Sequence, residues 1–171
     1  MITKGMLSVR KMCGTSKVST CDVLIEPDGT VVGTDGKGLV AVQGMGGGWK
    51  DGLCVDAGAV EELAKRLRKG EELRVDDVDE ADRSVRRVSF QVVSGREVKG
   101  TEEAHISDRT FPNWRGMLAK THTLGKEMKP ELLERGICVN RKTLMKVLEV
   151  MDTSCPYPDD CPVWVRISGD C

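Results

Sequence analysis

The sequence predicts an α+β fold in which two β/α units follow one another, giving an antiparallel sheet with both helices on one face. Three observations carry that expectation. Two Asp-Gly pairs, Asp28-Gly29 and Asp35-Gly36, separate short β-rich runs, and glycine there accepts the positive φ that tight hairpins need. The order of predicted elements is helix, three strands, strand, helix, three strands, so one pattern occurs twice. In Arg87-Val88-Ser89-Phe90-Gln91-Val92 the apolar residues alternate, as a half-buried antiparallel strand requires.

In chain order, residues 4–13 are expected as a short helix with Met6, Val9 and Cys13 on one face, stopped by Gly14. A strand meander follows at 20–26, 30–34 and 38–43. Gly44 to Gly48 reads as a flexible connection. A phosphate loop needs Gly-Lys-Ser/Thr opening a helix, whereas Lys50 is followed by Asp51. After a short strand at 53–55, Asp56 is placed as the N-cap of a helix over 57–69 whose stripe is Val60, Leu63, Ala64 and Leu67. Glu61 and Glu62 fall early in it, and Lys65, Arg66, Arg68 and Lys69 fall late, which complements the helix dipole.

Gly70 ends that helix, and strands are expected at 72–78, 86–93 and 97–106, broken by the acidic turn Asp76 to Asp82 and by Ser94-Gly95. Residues 107–135 read as a linker in which Pro112 and Pro130 discourage regular structure. Beyond it come a strand at 137–139, an Asn140 N-cap, a helix to about 151 and a strand at 163–167. The stripe of that helix is Leu144, Val147, Leu148 and Met151. Sliding the first helix onto this one pairs Lys4 with Lys142, Met6 with Leu144 and Val9 with Val147, a faint internal echo.

A chain of 171 residues supports one domain with a real core, or one and part of another. A net charge of -1 excludes a uniformly basic nucleic-acid coat and still allows a basic face opposed by an acidic one. There is no apolar run of about 18 residues and no signal-peptide core, so a cytoplasmic location without membrane attachment is expected. Cys13, Cys21, Cys54 and Cys138 stand singly, and no Cys-x-x-Cys occurs. A structural zinc site needs four N/S ligands, so free thiols and no metal or cofactor are expected. A metal-binding interaction domain built on Cys155, Cys161 and Cys171 stands as a third alternative for the function. His105 and His122 have no Ser, Cys or Asp companion at motif spacing, which argues against an enzyme.

Two separated strings carry a resemblance. Thr34-Asp35-Gly36, followed two residues later by Leu39, resembles the Thr-Asp-Gly-His-Arg-Leu motif in the middle domain of bacterial sliding clamps, the β subunit of replicative DNA polymerase. Phe111-Pro112-Asn113-Trp114-Arg115-Gly116-Met117-Leu118 resembles the Phe-Pro-Asp-Tyr-Arg-Arg-Val-Leu segment joining the middle and third clamp domains. Cys161 to Ile167 resembles the first strand of the third. The resemblance implies a DNA-clamp-like domain over residues 1–118, a linker over 119–135 and a partial second clamp domain over 136–171. Lys37 and Gly38 replace the His-Arg pair, and Gly116 replaces the second Arg.

By that resemblance the chain is a scaffold that contacts duplex DNA without reading sequence and tethers a DNA polymerase or other clamp-motif peptides, as a homo-oligomer. Its implied DNA-facing residues are Lys4, Arg10, Lys11, Lys65, Arg66, Arg68, Lys69, Arg141, Lys142 and Lys146. Its implied peptide groove is Thr34, Gly36, Leu39, Pro112 and Met117. The family has three domains per subunit and two subunits per ring, whereas this sequence has room for about one and a half such domains. The alternative function is a clamp-mimicking decoy or regulator that binds proteins without encircling DNA.

Overall fold

The computed structural model of the chain describes residues 1–15, 20–36, 38–47, 49–79, 86–116 and 141–154. The expected strands at 137–139 and 163–167, the Asn140 cap and the linker 119–135 lie outside these residues.

The first unit is β1 (Ile2–Thr3), a 310 helix (Met6–Met12), β2 (Asp22–Ile25), β3 (Val31–Thr34) and β4 (Leu39–Val42). The second is β5 (Leu53–Asp56), α1 (Ala57–Arg66), β6 (Glu72–Asp79), β7 (Arg87–Ser94) and β8 (Glu97–His105). Each unit is therefore strand, helix and three strands. A further helix, α2 (Arg141–Ser154), follows.

Two four-stranded antiparallel sheets result, ordered β1-β6-β7-β8 and β4-β3-β2-β5, so the expectation of one continuous sheet is corrected. The units exchange their first strands. β1 of the first pairs with β6 of the second through Ile2↔Leu73, and β5 of the second pairs with β2 of the first through Val23↔Val55. β1 has two residues, too short to leave a period in the sequence, and element order does not disclose partners. The two sheets meet at a bridge between Val55 and Ile106, and the Ser107 N–H donates to the Cys54 carbonyl at 2.7 Å.

The helices lie over the inner faces of both sheets around one core. Met6, Leu7, Val9 and Met12 come from the 310 helix, and Val60, Leu63, Ala64 and Leu67 from α1 and its cap. Val23, Ile25, Val31, Leu53 and Val55 come from one sheet, and Leu73, Val88, Phe90 and Ala104 from the other. Three residues per turn bring Met6, Val9 and Met12 into one row, which is why Met12 joins the face expected from Met6, Val9 and Cys13. Asp56 caps α1 by accepting from the N–H groups of Gly58 at 2.8 Å and Ala59 at 3.4 Å. α1 is shorter than expected, because Leu67 is already extended.

Gly33 sets the distance between β3 and the 310 helix. A Cβ there would lie 2.2 Å from the Val9 carbonyl oxygen, which is backbone and cannot swing aside. Gly33→Ala is expected to lower unfolding free energy by about 1–3 kcal/mol in urea titration. Gly100→Ala, where a Cβ would meet nothing within 4 Å, serves as the near-neutral control.

Candidate functional site

The outer face of the β4-β3-β2-β5 sheet is unusual for its apolar content. Directly paired residues share a face, so the registers Leu24↔Cys54, Leu24↔Val32 and Thr34↔Leu39 place these side chains together, away from the helices. Leu24, Val32 and Cys54 are buried there with Trp114, and Leu39 and Phe111 pack against them half-buried. The other sheet turns Arg74, Gln91 and Thr101 outward along one register line.

The segment 107–115 runs over this face and is pinned along β2. Arg109 bonds the carboxylate of buried Asp22 at 3.0 Å. The Trp114 indole N–H donates to Glu26 at 3.3 Å. Arg115 bridges Glu26 at 2.5 Å and Asp28 at 2.8 Å while stacking 4.4 Å above the Trp114 ring. The hydrogen bonds that Arg115 donates, that to Glu26 foremost, raise the pKa of its guanidinium; those from Thr30 hold the Asp28 carboxyl below its usual range. A groove remains between this strap and the sheet, lined by apolar Leu24, Cys54, Phe111, Pro112 and Trp114 and by charged Glu26, Arg109 and Arg115.

Of the implied peptide-groove residues, Leu39 and Pro112 lie on this face. Thr34 shares it by register but is 1% exposed, and its hydroxyl is committed to the hairpin: it donates to the Gly38 carbonyl at 2.6 Å and accepts from the Gly36 N–H at 3.1 Å. Gly36, with φ +83, supplies the turn. Met117 and Lys37 lie outside the described residues. Trp114, Arg115, Arg109 and Asp22 carry the strap, yet no role attaches to them from sequence. A Trp-Arg pair in a proline-containing linker is the signal the residues offer for them.

The basic residues are mostly engaged within the chain. Lys4 Nζ donates to the Leu67 carbonyl at 2.8 Å, where it caps the end of α1. Arg10 lies 3.9 Å from Glu61, Lys11 is 2.6 Å from Glu149, and Lys65 is 3.2 Å from Glu61 and 2.9 Å from Glu62. Hydrogen bonding by Glu62, then Glu61, raises the Lys65 pKa. Arg66 pairs with Glu102, and Lys146 lies 3.5 Å from Asp35. Arg68 and Lys69 are exposed just past α1, and no carboxylate pairs with their side chains among the described residues. Lys142 is exposed on α2, which Arg141 begins.

Cys13, Cys21 and Cys54 are free thiols, and among the described residues no three His, Cys, Asp or Glu are grouped to hold a metal. Cys138, Cys155, Cys161, Cys171 and His122 lie outside those residues. Among the described residues no helix is long and apolar enough to cross a membrane. No protein family, curated protein or solved structure matches the chain.

Two expectations follow. Trp114→Ala should cost about 3 kcal/mol in denaturant titration by emptying the space over Leu24, Val32 and Cys54. Burial pushes the Cys13 thiol from 9.0 up to about 12, so the native chain keeps a proton that the unfolded chain loses between those values. This contribution to stability is complete below pH 9 and declines as pH rises toward about 12; Cys13→Ala should flatten the decline in pH-dependent unfolding.

Proposed function

We propose that the chain is a clamp-like, non-enzymatic scaffold of the cytoplasm that holds protein partners beside duplex DNA. The observation that carries this reading is the exchange of first strands between two strand-helix-three-strand units, which places a helical layer over two sheets. The motif strings add to it, since Leu39 and Pro112 come to one apolar sheet face from positions far apart in sequence. A groove with apolar Leu24, Cys54, Phe111 and Pro112 beside charged Glu26 and Arg109 suits the Leu or Phe anchors and polar flanks of a short peptide.

The helical layer would meet phosphates through exposed cations without reading bases. Arg68 and Lys69 are the best placed of the candidates, because six of the others are held by acceptors within the chain. Such pairing is also what favours the second reading, a clamp mimic that engages proteins through the groove and does not encircle DNA. Homo-oligomerisation belongs to the first reading, since one copy offers a single pair of sheets.

The readings separate in one titration series. For the scaffold, a labelled duplex binds with an affinity that falls steeply with salt, and Arg68→Glu with Lys69→Glu abolishes it; Arg68→Ala with Lys69→Ala lowers the salt slope by about 2. Absent binding at low salt, or binding indifferent to these changes, selects the mimic. For the groove, Pro112→Asp, on its lining, should eliminate capture of a clamp-motif peptide, and retained capture would discard it.

A further inference from the structure

We propose that α2 is a detachable cover over the 310 helix, masking Lys11 when docked and exposing it to a polyanion when released. α2 lies antiparallel to that helix. Thr143 sits where a Cβ on Gly38 would meet both it and Met12, Glu149 pairs with Lys11, and the Ser8 hydroxyl donates to the Val150 carbonyl at 3.4 Å. Lys146 reaches Asp35 in the β3–β4 turn. One helix thus touches Lys11 of the first unit and the β3–β4 turn.

Among the described residues, the attachment of α2 to the core is narrow. Val150 is the one fully buried side chain of α2 among the described residues, Val147 is half-buried against the core, and Met145 is 58% exposed. Of the expected stripe, Val147 packs against the core while Leu144, Leu148 and Met151 are half-buried, and Val150, not expected on it, is the buried contact. α1, by contrast, inserts Val60, Leu63 and Ala64 into the core. Beneath α2 the 310 helix keeps its own seat, with Val9 on Gly33 and Leu7 fully buried. The ion pairs are partly solvated, so ions and phosphates compete for them. A phosphate on Lys11 and the Glu149 carboxylate exclude one another, which couples binding to release.

This inference rests on the duplex-binding reading, and the test keeps the two apart. Val150→Asp places a charge at the buried contact. Amides of α2 should then exchange quickly while those of β7 stay protected, and affinity for a labelled duplex should rise about tenfold, the gain expected when a competent state of roughly a tenth becomes dominant. Adding Lys11→Ala should remove the gain. Should Val150→Asp expose β7 as well, Glu149→Gln carries the test, with a smaller rise expected. A released α2 with unchanged affinity, a gain that survives Lys11→Ala, or an unchanged Glu149→Gln variant would overturn the cover. If wild-type binding then still depends on Arg68 and Lys69, duplex binding stands and the cover falls; if no variant binds, both fall.

Discussion

The exchange of first strands constrains everything else in this molecule. β1 completes the sheet of the second unit and β5 completes the sheet of the first, so neither unit can close its hydrogen-bond ladder alone. The side chains follow the ladders. Ile2 enters the core beside Leu73, and Val55 enters beside Val23, so one apolar interior is shared instead of two small ones. A shared interior removes more apolar surface from water than two separate pieces of half the length could. It also fixes the two helices side by side in one layer, because each has strands of both sheets or the other helix as its floor.

The two sheets then differ in what they show to the outside. One mostly follows the alternation of a solvated sheet, with Leu73, Val88 and Phe90 inward and Arg74, Gln91 and Thr101 outward, although exposed Val98 pairs with Val93. The other carries Leu24, Val32 and Cys54 on its outer face as well and covers them with its own chain. Trp114 supplies the area, and Arg109 and Arg115 fix its place by pairing with acids on β2 and the turn after it. Buried Asp22 shows how closely the strap and sheet depend on each other, since among the described residues Arg109 is the cation paired with it.

Much of the strand and helix pattern could be read in the residues. The Asp-Gly turns and the alternation around Phe90 have local causes, and Asp56 caps its helix through its own side chain. What escaped reading has non-local causes. β1 is recognised by its partner across the molecule, and Ile2-Thr3 alone carries no period. Lys65 and Arg66 looked like a basic cluster, but Glu61, Glu62 and Glu102 reach them from the same helix and from β8. The shift of the α2 contact to Val150 depends on Ser8 and Lys11, more than a hundred residues earlier in the chain. Spacing reports which faces exist, and only the partner decides which face is used.

The outermost strands also govern how this molecule tolerates crowding. β8 is nine residues long and carries Glu97, Lys99, Glu102 and Glu103 along a largely exposed edge. Such charges act as gatekeepers: an unrelated strand that tried to lengthen the sheet there would have to desolvate them or meet them unpaired. β4, with Leu39-Val40-Ala41-Val42, has four residues and no charge, so its defence against stray pairing is brevity. Lengthening β4 by neutral β-branched residues would therefore turn a quiet margin into a nucleus for aggregation, while the same insertion in β8 would stay under electrostatic guard.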